Sequence, residues 1–293
     1  MRSPAESSVA IVGLGLMGGS LALALRERHA CRRIIGITRD PESRRAVLAR
    51  GVVDAASAEL ALAAEADVIV LATPVRTLLQ QLEEVGRVAR AGTVVMDLGS
   101  TKREVTRAME RLPRHLEPLG AHPMCGKETA GFGAADAALY NEAVFVLTPL
   151  PRTSPDTLAF GRSLVEAVGG RPLVLDPERH DRIVAAVSHL PFVVAAGLMA
   201  TTDEVAGAEE LLYTLAASGF RDTTRVAAKE TTVMLDILLT NREYVAAAAR
   251  ECAGKIGELA ELIAAGDEPA LRARLAAAAA SRRGLFRPKR NDG

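Results

Sequence analysis

The sequence predicts an α/β protein in which a doubly wound, mostly parallel sheet is followed by an all-helical domain. Three observations carry that reading. Short apolar, β-branched runs alternate with amphipathic stretches through the first 176 residues. The runs are apolar throughout rather than alternating, as befits strands covered by helices on both faces. After Asp176 no further strand signal appears, and the chain reads as helix.

The elements follow in order. Strands are expected at VAIVG (9–13), RIIGIT (33–38), DVIVLAT (67–73), TVVMDLG (93–99), LEPLGAH (116–122), AVFVLTP (143–149) and RPLVLD (171–176). Between them, MGGSLALALRER puts Met17, Leu21, Ala24 and Leu25 on one helical face. DPESRRAVLARG opens on an Asp-Pro cap and closes on Gly51. RTLLQQLEEVGRVARAG and TKREVTRAMERL are amphipathic in the same way. Beyond Asp176, PERHDRIVAAVSHLPFVVAAGLMATT, AGAEELLYTLAAS, the run 220–266 and EPALRARLAAAAASRR all predict helix. The expected domains are therefore 1–176 and 177–293. Long Ala/Leu helices are hard to bury within so small a domain, which predicts a homodimer through the helical part.

Composition narrows the function. Apolar residues make up 49% and charged residues 25% of the 293 residues, as in ordinary globular proteins. Thirty-six basic residues balance 36 acidic ones, so no basic excess invites nucleic acid. The basic C-terminal stretch SRRGLFRPKRNDG is expected to be a frayed tail. Three cysteines at unrelated spacings argue against a disulfide framework and for a reducing, cytoplasmic setting. No CxxC or Cys/His cluster implies a metal. The N-terminus lacks a signal-peptide pattern, and no membrane span is expected. With no Trp and 3% aromatics, the core must be built from Ala, Leu and Val.

Gly13, Gly15 and Gly18 lie in the G-x-G-x-x-G spacing, after the first strand and at the start of the first helix, with Leu16 and Met17 between the last two. In that context the glycines allow a tight turn, close approach of a pyrophosphate and close helix–strand packing. The helix N-terminus adds free N–H groups and a favourable dipole. Dinucleotide binding by a Rossmann-type domain is the consequence. At the end of the second strand Thr38 occupies the place where an NAD-selective acid is expected, and Arg39 follows. A hydroxyl and a guanidinium suit a 2′-phosphate, which favours NADP over NAD.

Ligands of such sheets lie beyond the strands' carboxyl ends. Those ends carry Thr73-Pro74, DLGSTK with Ser100, and His122 before Pro123. Pro123 biases His122 toward extended geometry. A histidine at a strand end is either a buried structural residue or a general base. Ser100, from the neighbouring strand, is a candidate to orient it.

The motifs VAIVGLGLMGGSLALAL, DLGSTK, GAHPMCGKETAG, AAVSHLPFVVAAGL and SGFRDTTRVA occur in the order seen in prephenate/arogenate dehydrogenases of tyrosine biosynthesis. From about residue 8 to 285 the chain resembles the single-function form of that family. The resemblance implies oxidative decarboxylation of prephenate, with hydride transfer to NAD(P)+. It implies that His122 is the base taking the ring hydroxyl proton, that Ser100 positions it, and that Arg225 holds a substrate carboxylate, with Arg221 as a second basic position. His189 falls where the family lines its pocket, and His180 where a supporting or structural part is expected. Lys127, Glu128 and Thr129 fall near the expected substrate side chain, in a lip over the site. Phe192 stands where prephenate-preferring members often carry a second histidine, which leaves arogenate or a relaxed substrate range open; an amino-substituted analogue comes third. A β-hydroxyacid dehydrogenase and a non-catalytic cofactor sensor are the competing readings. A base with an ordinary histidine pKa predicts activity rising with pH through the neutral range.

Overall fold

Alternate residues of the first strand face opposite sides, and both sides are buried. That strand, β1 (Ser8–Val12), sends Val9 and Ile11 into one core and Ala10 and Val12 into another. This is why the strands lack a polar face. The structure is a computed structural model that describes residues 3–207 and 209–285; most of the basic C-terminal stretch lies outside them.

After β1 come α1 (Leu16–Glu27), β2 (Arg33–Ile37), α2 (Pro41–Ala49), β3 (Ala55–Ser57), β4 (Val68–Leu71), α3 (Val75–Val88), β5 (Val94–Asp97) and α4 (Arg103–Met109). β6 (Glu117–Pro123), β7 (Val144–Pro149), α5 (Pro155–Ala167) and β8 (Arg171–Val174) complete the sheet. Its eight strands run in the order β3-β2-β1-β4-β5-β6-β7-β8. β1 to β6 are parallel; β7 pairs antiparallel with β6, and β8 follows β7. The α/β expectation holds, with one strand more than the seven anticipated. β3 escaped notice because it has three small residues, paired only with β2.

α1 and α5 pack on one face and α3 and α4 on the other. Leu21, Leu25, Phe160 and Leu164 fill the first layer; Leu78, Leu82, Val105 and Met109 fill the second. Asp40 caps α2 by accepting from Glu42 N and Ser43 N, as the Asp-Pro signal predicts.

Beyond the sheet lie α6 (Pro177–Val184), a π-helical turn (Ala185–His189), α7 (Leu190–Ala206), α8 (Ser218–Thr224), α9 (Thr231–Thr240), α10 (Arg242–Ala265) and α11 (Glu268–Leu285). The stretch AGAEELLYTLAAS, expected to be helical, is irregular over its described residues. Leu211 and Leu215 stay 61% and 78% exposed, so no apolar face of that segment is buried to sustain a helix. One compact unit runs through Val245, so the change of texture at residue 176 falls inside it. The second unit begins at Ala246; within it Arg274 meets Glu258 at 3.2 Å, which lays α11 back along α10. The helical run Pro177–Ala206 is long and apolar enough to cross a membrane by length and composition, and only 22% of its most apolar window is buried within the chain.

At Gly18 a Cβ would stand 1.8 Å from the Gly13 carbonyl oxygen, and Gly13 itself has φ +97°. The loop therefore tolerates no side chain at either place. Gly18→Ala is expected to lower stability by about 1–3 kcal/mol and to weaken dinucleotide binding. Urea unfolding and titration calorimetry check both, and wild-type values in both would refute the steric argument.

Candidate active site

The glycine loop is shaped for a phosphate. Gly13 presses against Ala72 and Thr73, whereas a Cβ on Gly15 would meet nothing within 4 Å. Gly15 caps α1 without any side-chain hydrogen bond, so the first N–H groups of α1, from Leu16 onward, are not taken by a side chain. Met17 is tied from below, where the fully buried Tyr140 donates to its carbonyl at 2.6 Å. Thr73 Oγ1 donates to Gln81 Oε1 at 2.7 Å, and Pro74 opens α3. These residues fit a dinucleotide. At the β2 end the Asp40 carboxylate is committed to its helix. Arg44 donates to the carbonyls of Thr38 and Arg39 at 2.7 and 2.8 Å, and Arg39 projects exposed.

His122 sits at the carboxyl end of β6, 8% exposed. Its Nδ1 lies 2.8 Å from His180 Nε2, and His180 Nδ1 lies 2.8 Å from Asp181 Oδ1. A carboxylate only accepts, so His180 Nδ1 carries a proton, and in the neutral ring its Nε2 is the acceptor. His122 must then donate from Nδ1, which leaves its Nε2 lone pair free. Burial, and then the neighbouring His180 and Lys102, hold His122 well below the usual histidine pKa, so it is neutral at pH 7. The expected hydrogen bond from Ser100 does not form. Ser100 is half-buried and makes no side-chain hydrogen bond among the described residues, and His180 takes the orienting place.

Sequence reasoning missed the network behind this pair. Asp181, fully buried, also accepts from the Lys102 and Arg103 backbone N–H groups at 2.7 and 2.9 Å. Lys102, equally buried, makes an ion pair with Asp97 and donates to the Ala121 carbonyl at 2.6 Å. Asp97 accepts from Gly99 N and Ala121 N. The DLGSTK turn is thus bolted to the residue preceding His122. Thr101 bonds Thr240 at 2.8 Å, and Arg76 N donates to the buried Asp236, so α9 is fastened to the same rim. Most of the partners are 19 to 160 residues apart, and no local pattern reveals them.

The remaining expected residues are placed as follows. His189 ends the π-helical turn, 1% exposed, with Nδ1 3.2 Å from Asn241 Nδ2. Arg225, at the end of α8, is half-exposed and ion-paired with Glu128 of the lip. Arg221 is exposed and makes no ion pair among the described residues. Lys127 pairs with Asp136 at 2.9 Å, and Thr129 is exposed. The lip is anchored to α1: Asp136 N donates to Ser20 Oγ, and a Cβ at Gly19 would strike Phe132.

A glycine loop at the first βα turn, with a buried, oriented histidine farther along the same sheet rim, defines a Rossmann-type nucleotide-binding protein. A family model described as the nucleotide-binding domain of prephenate dehydrogenase matches residues 21–174, and one described as its dimerization domain matches 176–277. The chain belongs to the prephenate dehydrogenase family. A prephenate dehydrogenase of Bacillus subtilis is 35% identical over 246 residues, 82% of this chain and 66% of its own length. The chain thus spans just under two thirds of that relative. The crystal structure of Aquifex aeolicus prephenate dehydrogenase, in complex with hydroxyphenyl propionate and NAD+, superposes with TM-score 0.89 at 30% identity, covering 97% of this chain and all of that one. Synechocystis arogenate dehydrogenase does so with TM-score 0.81 at 31% identity, covering 95% and 100%.

Removing one member of the buried Lys102–Asp97 pair strands the other charge. Lys102→Met is expected to lose about 3–5 kcal/mol of stability in urea unfolding, and the double change with Asp97→Leu should recover much of it. Equal losses for single and double variants would show that the pair is not the source.

Proposed function

We propose that this chain is a nicotinamide-dependent dehydrogenase that oxidatively decarboxylates prephenate to 4-hydroxyphenylpyruvate. The observation that carries the reading is the free Nε2 lone pair of His122, produced by the Asp181–His180–His122 chain at the sheet rim. Gly13, Gly15, Leu16, Met17, Gly18, Thr73 and Pro74 would hold the cofactor. When bound, NAD(P)+ supplies the hydride acceptor.

His122 Nε2 takes the proton of the ring 4-hydroxyl. Its positive charge is then shared through Nδ1 with His180 and offset by Asp181. Arg225 anchors a substrate carboxylate, and the Glu128 carboxylate marks that anion site by occupying it. Substrate binding therefore separates Arg225 from Glu128. His189 lines the buried side, and the exposed Arg221 adds positive charge nearby in the sequence. Ser100, without a side-chain partner, is free to bond the substrate hydroxyl. Loss of carboxylate is driven by aromatisation, a step that needs no metal.

The division of labour follows the two family models, with the nucleotide held before residue 176 and the dimer contact after it. The weakly buried Pro177–Ala206 run supplies an apolar face for a second copy of the chain. All three cysteines are free, which supports a reducing, cytoplasmic compartment.

Absorbance at 340 nm with NAD+ or NADP+, each with prephenate and with arogenate, tests the reading. Turnover of prephenate is expected; turnover of arogenate alone would favour the alternative that Phe192 leaves open, and cofactor binding without turnover of either would favour the sensor. His122→Asn should lose most turnover at near-wild-type cofactor affinity, and unchanged turnover would remove His122 as base. Because the His122 pKa is lowered, protonation that disables the base occurs only well below pH 6.5. The acid limb of kcat/KM, which reports the free enzyme, is therefore expected there, on the acid side of the rise that an ordinary histidine predicts; a midpoint at or above 6.5 would contradict the buried, neutral base.

Arg39, whose side chain has no partner among the described residues, favours NADP. Arg39→Ala should raise KM for NADP+ by about tenfold or more and leave KM for NAD+ within about twofold; equal effects on both would assign Arg39 no part in 2′-phosphate recognition.

A further inference from the structure

Asn241, between α9 and α10, is buried at 2% exposure and belongs to none of the motifs discussed above. Its amide nitrogen lies 2.8 Å from the Asp181 backbone carbonyl oxygen and 3.2 Å from His189 Nδ1. A backbone carbonyl only accepts, so that end of the amide must be the NH2 group. Both of its hydrogens are then used, one on Asp181 and one on His189. His189 Nδ1 is consequently an acceptor, and the single ring proton of neutral His189 resides on Nε2. Burial pushes the His189 pKa down to about 4, so neutral is its state at pH 7.

That Nε2 is itself buried and has no hydrogen-bond partner among the described residues. A buried N–H without a partner is costly and calls for an acceptor. The ring is aimed by an unusual backbone, since His189 closes the π-helical turn Ala185–His189, a wide turn of a kind found often at functional sites. The charges acting on His189 come from Asp181, His180 and Lys229; Asp181 is already engaged by His180 and by the α4 amides. An imidazole N–H pairs with an oxygen acceptor and finds none on an ammonium, which carries only donors.

We infer that Asn241 is a positioning residue that locks His189 in its Nε2–H tautomer, and that His189 thereby recognises an oxygen acceptor of the substrate, a carboxylate or carbonyl, and excludes an ammonium from that place. The inference rests on the dehydrogenase reading for the identity of the ligand, whereas the tautomer is a property of the free protein.

Two measurements separate those parts. Two-bond 1H–15N correlation on histidine-labelled protein resolves the five imidazoles, with His189 assigned by its loss in His189→Gln. An Nε2–H tautomer between pH 6 and 8 is expected, and an Nδ1–H form or an imidazolium overturns the lock even where no turnover is found. The second measurement is a double-mutant cycle on KM for prephenate. Asn241→Leu should raise KM by about tenfold with kcat within about twofold. In the His189→Gln background, whose amide has no tautomer to set, the same change should have little further effect. Equal effects in both backgrounds, or none in either, overturn the role, since a purely structural Asn241 acts regardless of residue 189.

Discussion

Asp181 is a fully buried carboxylate that makes three hydrogen bonds, to His180 and to the first two backbone N–H groups at the start of α4. A buried charge survives only when its oxygens are satisfied, and here backbone and side chain share the task. One side chain thereby joins the helical region to the turn after β5 and dictates the protonation pattern of two histidines. Were Asp181 neutral or displaced, His180 would have no reason to keep its proton on Nδ1. The direction of the whole chain up to His122 Nε2 would then be undefined.

The same economy recurs around it. Lys102 and Asp97 form a pair whose mutual attraction matters less for stability than for geometry, since buried ion pairs repay their desolvation poorly. Through the Ala121 carbonyl and amide they hold the residue next to His122 at two points. Charge in this core serves alignment, and the apolar layers on either face of the sheet carry the stability. The positions of His122 and the α4 N-terminus are therefore set by interactions that leave few alternatives.

The rim contrasts with that interior. Arg225 and Glu128 are half-exposed partners on separate elements, and their contact is of the surface kind that contributes little to stability. A guanidinium held this weakly is available to a competing carboxylate. The buried groups are fixed by several partners each, while the exposed pair is held by one. His189 and Asn241 belong to the first kind, sealed and oriented, although His189 Nε2 and Asn241 Oδ1 have no hydrogen-bond partner among the described residues.

Much of this architecture is legible without coordinates. Apolar strands in alternation with amphipathic helices specify a two-faced sheet, because only covered strands dispense with polar faces. The glycine spacing specifies the loop, because Gly13 and Gly18 leave no room for a Cβ. His122 is visible as a strand end before proline. The strand β3 and the irregular stretch after α7 are not, because three small residues carry no pattern and an apolar segment without a buried partner gains nothing by coiling. Nor is the orienting partner of His122 visible: Ser100 is the plausible neighbour by strand order, yet His180, 58 residues away, is the one in contact. Local sequence encodes backbone preference and burial, which are short-range properties. Which hydrogen-bonding groups meet inside a protein depends on how distant elements pack, and only the folded chain brings Asp181, Lys102 and Asn241 to the histidines they govern.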